Sequence, residues 1–225
     1  MNQIIPRLHA SPPEAVPFGP SLEIRAFLLE REQGNLLIYR AKTLRGEVAA
    51  ITDLGGISRQ YLNHRHEAAA VCDWVAETFA APLFCHVDDA VSASHGCNVA
   101  QTFSERHWLD GDFEVIPTPG HTAGATAYLW NTGDHRCLFT GDTIFFPQGE
   151  WRALLLRSDA PPPLDGASDR ERYLESLELI RSLDFDLLVP SLATADQPHY
   201  EFVDRGEAER RIDAIIERVR RGENG

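Results

Sequence analysis

The 225-residue sequence predicts an α/β fold of two sheets packed face to face with helices outside, an αββα sandwich. Three observations point there. Strand-like runs are followed by helix-like runs, and that order occurs twice along the chain. The strand candidates are rich in residues that suit a half-buried pleated surface. Length and composition, with 43% hydrophobic and 24% charged residues, suit one compact core. One domain is expected over residues 1–225, with pseudo-halves at roughly 20–117 and 118–200 and a C-terminal helix at about 205–221.

After a Pro-rich entry, residues 22–29 (LEIRAFLL) and 35–41 (NLLIYRA) read as strands joined by a turn at Gly34. Residues 45–54 read as a short helix that Gly55 and Gly56 end. Ile57–Asn63 reads as a strand delivering His64 and His66 at its edge. From Glu67 to Phe79, Ala68, Cys72, Val75 and Phe79 recur at helical spacing, so that helix lays one stripe on a sheet. Residues 82–86, 113–117, 125–130 and 136–140 are further strands, followed by a long connection over 146–167. Ser168 and Glu171 form a predicted capping box for a helix whose stripe is Tyr173, Leu177 and Ile180. Strand 186–190 and the terminal helix, burying Ala208, Ile212, Ile215 and Val219, close the chain.

Composition narrows the function. A formal charge of −13 repels phosphate backbones and anionic lipid, so neither nucleic acid nor a membrane surface is an expected partner. The arginines at 210, 211, 218, 220 and 221 alternate with acids and read as a solvated helix face. No signal peptide and no membrane span are visible, and Cys72, Cys85, Cys97 and Cys137 form no C-x-x-C pair. A cytoplasmic protein with free thiols, acting on a small molecule and with room for a homodimer, is the expectation.

Three clusters can carry chemistry. His64 and His66 lie at i and i+2 beyond a strand, where a twisting backbone can aim both imidazoles at one metal. Residues 118–125 (TPGHTAGA) place His121 on a tight Pro-Gly turn, and residues 139–145 (FTGDTIF) put Asp142 at a strand end. The plainer alternative makes the histidines polar strand ends, and Asp142 a turn residue or an orienting partner for His121.

These residues resemble the metallo-β-lactamase superfamily from about Leu22 to Ala193. That family's pattern runs H-x-H-x-D-H, then P-G-H-T-x-G, then G-D, then a last His in a P-G-H-like turn. The resemblance implies that His64, His66 and His121 form a first metal site and that Asp142 is the ligand bridging to a second. Ala68 and Ala69 stand where the family has Asp and His, and Leu192 stands where the last His belongs. The implied site therefore holds one divalent ion, zinc ahead of iron. Glu67 is either a substitute base or ligand, or a charge at a helix start. His199, which has no motif context, is a surface or packing residue, or a replacement for the lost histidine. Trp151 and Arg152, in the 146–167 connection, either close over substrate or pack the loop onto the domain.

Three functions follow from the resemblance. The first is a hydrolase of a small ester, lactone or thioester using one ion. The second is a non-catalytic protein that binds a metal or ligand, and the third is a mononuclear iron oxygenase. A glyoxalase II-like enzyme is set aside because only one helix follows Leu192. Nuclease and true β-lactamase activity are set aside on charge, the lack of an export signal and the lost second site.

Overall fold

The computed structural model describes residues 1–17, 21–159, 166–195 and 197–223. Part of the predicted 146–167 connection, residues 160–165, lies outside them. The chain begins with β1 (Asn2–Ile5), β2 (Leu8–Ala10), β3 (Glu14–Ala15), β4 (Leu22–Ile24), β5 (Phe27–Leu29) and β6 (Leu36–Ile38). Helix α1 (Val48–Asp53) leads to β7 (Arg59–Tyr61), and α2 (Ala70–Phe79) leads to β8 (Leu83–His86). Helix α3 (Val87–Ala93), β9 (Gln101–Phe103), β10 (His107–Leu109), β11 (Phe113–Pro117), β12 (Thr126–Asn131) and β13 (Arg136–Gly141) follow. The last elements are α4 (Arg170–Ser182), β14 (Leu187–Pro190), β15 (Leu192–Thr194), β16 (Glu201–Phe202) and α5 (Arg205–Arg220).

Among the described residues, one sheet has the order β1-β2-β5-β6-β7-β8-β9 and a second β10-β11-β12-β13-β14-β16. A small sheet, β15-β4-β3, joins the two halves of the chain through the Leu192–Ile24 pairing. The period-two geometry of a strand explains the layers. Phe27, Leu29, Leu36 and Ile38 point inward against Phe113, Tyr128, Trp130, Phe139 and Val189 of the second sheet. Their neighbours Leu28 and Leu37 point outward onto Leu44, Ile51 and Val75. Outward residues of the second sheet, Leu129, Leu138 and Leu188, meet Tyr173, Leu177 and Ile180 of α4 and Ile212 and Ile215 of α5. Strands covered on both faces read as continuous apolar runs for this reason. The arrangement is the predicted αββα sandwich.

Several local expectations change. The run 22–29 is two strands, because the chain leaves the small sheet after Ile24 and enters the large one at Phe27. Strand 35–41 ends at Ile38, where Tyr39 turns the backbone with φ 64°. The helix expected from Glu67 starts at Ala70, because Arg65–Glu67 is a separate 3-10 turn. The expected capping box is replaced by Asp169, whose side chain accepts from the Arg172 N–H. Ser168 is used otherwise: its Oγ donates to the His121 carbonyl and accepts from the Leu156 N–H. No helix among the described residues is long and apolar enough to cross a membrane.

Parallel pairs place the site. β6, β7 and β8 run parallel, as do β13 and β14, and helices make the crossovers. The C-terminal ends of β6, β7, β13 and β14 deliver Arg40, His64, Asp142 and Ser191 to one cleft. Strand ends at that side of an α/β sheet are where ligands commonly bind.

Candidate metal centre

His64 leaves β7 in an extended conformation, and the 3-10 turn that follows swings His66 round to the same side. The tight turn, more than a twisted strand, is what lets two histidines at i and i+2 converge. His121 arrives from the second half on the 118–125 loop, which α4 clamps. Ser176 Oγ donates to the Pro119 carbonyl, and the Asp169 N–H donates to the Gly120 carbonyl. Gly120, with φ 138°, has the Tyr173 backbone where a Cβ would stand, 2.4 Å away, so only glycine allows that approach.

The ligand atoms of His64, His66 and His121 all lie within 4.8 Å of one another. His66 Nδ1 is 3.4 Å from His121 Nε2, and Asp142 Oδ2 lies 3.5 Å from His64 Nε2 and 3.7 Å from His121 Nε2. Tetrahedral zinc with bonds of roughly 2.0–2.1 Å needs ligand atoms about 3.3–3.4 Å apart. The separations of 3.4–3.7 Å are close to that value, and the three histidines form the group that could hold an ion, with Asp142 beside two of them.

Tautomers fit as well. His121 Nδ1 lies 2.7 Å from the Leu154 carbonyl, which can only accept, so that nitrogen carries the proton and Nε2 keeps its lone pair. His64 Nδ1 lies 2.9 Å from Asn63 Oδ1. Asn63 spends its Nδ2 on the carbonyls of Thr126 and Thr140, which makes Oδ1 the acceptor and again frees His64 Nε2. Burial drives the His64 pKa well below 6.5, and the charges of His121, His66, Arg65 and Arg40 push the same way. Neutral imidazole is the form that binds metal. Ser191 donates to Asp142 Oδ1, leaving Oδ2 toward the histidines.

Two supporting residues escaped the sequence reading. Asp89 is fully buried on α3. Its carboxylate accepts from the Arg65 N–H between the two histidines, and from Thr122 Oγ1 and the Gly124 N–H beside His121. It thus ties both histidine loops together. Tyr173, taken for a core stripe residue, donates to the Thr143 and Asp142 carbonyls and accepts from the Leu154 N–H. A buried acid one turn into a helix and a tyrosine in an apolar stripe give no local signal of such roles.

Other expected site residues fall differently. Glu67 lines the cleft and is buried within the 3-10 turn, so it is not a charge at a helix start. Its Oε2 accepts from the Asn63 N–H, while Oε1 finds no hydrogen bond among the described residues. Burial, and next the Asp142 charge, raise its pKa well above the carboxylate range. Trp151 is only 4% exposed, stacks on Phe146 at 5.9 Å and donates to Glu201. Arg152 bridges to Phe145 and pairs with Glu150. Neither lines the cleft, so these two residues pack onto the domain, and the described part of the connection meets His121 through the Leu154 carbonyl. His199 lines a separate cavity with Arg25 and Phe27 and replaces no ligand. Leu192 does line the cleft, whereas Ala68 and Ala69 pack against the apolar cluster of Leu62, Cys72, Cys85 and Cys97.

Comparison with known proteins agrees with this fold. No curated protein matches the chain by sequence. Among solved structures, the subclass B3 metallo-beta-lactamase BJP-1 of Bradyrhizobium japonicum superposes with TM-score 0.64 at 16% identity, covering 90% of each chain. The metallo-beta-lactamase family protein TTHA1429 of Thermus thermophilus gives 0.65 at 15%, covering 97% of this chain and 81% of its own. ETHE1 from Myxococcus xanthus gives 0.60 at 18%, covering 88% and 85%. At these identities the likeness speaks for the fold alone. The model of the metallo-beta-lactamase superfamily matches residues 73–191, just over half the sequence, and the chain belongs to that superfamily.

Proposed function

We propose that this protein is a metal-dependent hydrolase that uses one divalent ion, zinc ahead of iron, on a small ester, lactone or thioester. The observation that carries this reading is the cluster of His64, His66 and His121, with Asp142 Oδ2 3.5 Å from His64 Nε2 and 3.7 Å from His121 Nε2. These four groups would hold the ion, which when bound supplies Lewis acidity toward a carbonyl. Asn63 and the Leu154 carbonyl keep two imidazoles in the ligating tautomer, and Ser191 orients the carboxylate.

The same geometry argues for a slow and narrow enzyme. General-base assistance is typically worth roughly 10²–10⁴-fold. Among the residues lining the cleft, the carboxylates are Glu67 and Asp142. Asp142 is assigned to the ion, and burial, with the Asp142 charge second, pushes the Glu67 pKa well above the usual carboxylate range. The charge of −13 favours a small-molecule substrate over nucleic acid or anionic membrane, and the four free cysteines suit the cytoplasm.

Metal content and turnover test the proposal together. Wild type purified without added metal should carry one equivalent of zinc and hydrolyse an activated ester or lactone slowly, with little cleavage of a chromogenic β-lactam. His121→Ala should lose both metal and activity. If the mutant keeps wild-type rates, the ion plays no part in turnover. One equivalent of iron would move the reading to an oxygenase. Leu192, an apolar side chain in the cleft, favours a second reading as a non-catalytic metal or ligand binder. A zinc-loaded wild type inert toward esters, lactones and thioesters would select it.

A further inference from the structure

Arg40 belongs to the cleft but to none of the roles described so far. It lines the same cavity as His64, His66, Glu67 and Asp142, and it is the one guanidinium or ammonium group among the described lining residues. The rest of that wall is Val16, Pro17, Ile24, Tyr39, Ser191 and Leu192. Its charge is felt at the metal-ligand end, where it acts on both His64 and Glu67.

Its backbone is held in an unusual way. Tyr39, immediately before it, takes φ 64°, a left-handed conformation that a bulky residue adopts only under constraint. The constraint is visible: the Tyr39 hydroxyl donates to the Val189 carbonyl and accepts from the Gly141 N–H, pinning β6 across to β13 and β14. The turn at Tyr39 ends the strand and sends Arg40 to the cleft wall.

Its donors are only partly used. Nη1 donates to Glu14 Oε1 at 2.9 Å. Glu14 divides its charge, accepting also from the Lys42 N–H and lying 3.6 Å from Lys42 Nζ. Arg40 Nε is buried and has no hydrogen-bond partner among the described residues. With Nη1 engaged and Nε buried, a ligand in the cleft would meet the guanidinium through the part of the side chain that stays exposed, 18% of it, and a carboxylate is the group that makes charge-assisted hydrogen bonds there. A guanidinium that lines the cleft beside the candidate metal centre, and that shares its single carboxylate partner with Lys42, favours an anionic ligand.

We infer that Arg40 is the substrate-anchoring residue of this cleft and that the substrate is an ester, lactone or thioester bearing a carboxylate. The guanidinium supplies fixed positive charge in a cleft where Ala68, Ala69 and Leu192 provide no ligands for a second ion. This inference rests on the one-ion reading above.

Two small thiols of similar size test it, because a thiol can bind the ion while its other end reports on Arg40. Zinc-loaded protein is titrated with mercaptoacetate and with 2-mercaptoethanol. Wild type should bind the carboxylate about tenfold or more tightly, the value of a charge-assisted pair in a partly dry site. Arg40→Met should lose that preference while still binding zinc and 2-mercaptoethanol. Glu14→Gln, which releases Arg40 from its competitor, should widen the preference. Equal affinity for both thiols in wild type, or a preference that survives in Arg40→Met, overturns the inference. If wild type binds no zinc, the one-ion reading has failed and a second arm decides for Arg40. The Arg40 Nε–H NMR signal, identified by its loss in Arg40→Met, is followed as metal-free protein is titrated with malonate. A saturable shift keeps the carboxylate site without the metal, and no shift removes it.

Discussion

Single side chains in this protein matter less for the bonds they make than for what those bonds hold in place. Asp89 touches neither cleft nor histidine ring, yet it accepts from the backbone between His64 and His66 and from the loop beside His121. Its charge is matched by Arg65, whose Nη1 lies 3.3 Å away. Asp89→Asn keeps the size but removes the charge and one acceptor. Zinc affinity should fall by roughly 10–100-fold, the usual effect of losing a support behind the ligands. Competition with a chelator measures this, and an unchanged affinity in a folded variant would end the idea that Asp89 organises the site. His199 poses a different problem. It is 2% exposed, and neither ring nitrogen has a partner among the described residues. Burial, with the Arg25 charge second, lowers its pKa from 6.5 to about 3. The unfolded chain therefore takes up this proton first as pH falls. Stability is full above pH 6.5 and drains between 6.5 and about 3, by at most about 1.4 kcal/mol per pH unit from this group. His199→Leu should show a shallower acid limb in denaturant melts across that window. Equal slopes would mean that His199 titrates normally.

At the level of elements, the site depends on chain reversals as much as on strands. Gly141 ends β13 with φ 56°, and a Cβ there would stand 1.9 Å from Asn63 Cγ. Asn63 is the side chain that fixes the His64 tautomer and bridges β7 to β12 and β13. Gly141→Ala should cost at least ~2 kcal/mol through strain and displacement. It should also weaken zinc binding, since Asn63 must move. A variant with wild-type melting temperature and zinc affinity would contradict this account. Such dependence also explains what could be read in advance. Strands 113–117 and 136–140 and the terminal helix were legible because two-sided burial and helical stripes write themselves into local composition. The motif residues His64, His66, His121 and Asp142 were legible because their order and turns are local too. Elements with weak local signals were not: β1 to β3, α3 and the short β9, β10, β15 and β16 are too short to carry a periodic pattern, and β15 forms only by pairing with β4 from the other half of the chain. Ser168 shows the limit well. Its sequence context suits a helix cap, but a carbonyl on the His121 loop, 47 residues away in sequence, takes the hydroxyl instead.

For the molecule as a whole, the sandwich brings His64 and His66 of one half together with His121 of the other, and a single ion is the proposed occupant. The prediction is saturation at one tight equivalent of zinc, lost in His121→Ala. Restoring the family's residues should not reverse this. Ala68 faces Gly96, whose own Cβ would lie 3.2 Å from the Ala68 methyl and 2.5 Å from its carbonyl oxygen. Ala69 and Ala68 both pack on the cluster that α2 and α3 share with Leu83 and Cys85. An aspartate at 68 and a histidine at 69 would bring polar groups to that apolar cluster, while Leu192→His would put a polar ring into the buried cleft wall beside Ile24. Burying polar groups without partners costs roughly 1–3 kcal/mol each in proteins. The triple variant Ala68→Asp, Ala69→His, Leu192→His should therefore melt roughly 5 °C or more below wild type, given about 2–4 °C per kcal/mol at this chain length. Its zinc titration should still end at one equivalent. Two tight equivalents in wild type would refute the one-ion reading directly. Two in the triple variant with an undiminished melting temperature would show that the backbone still keeps the second site's geometry, and that only the side chains were lost.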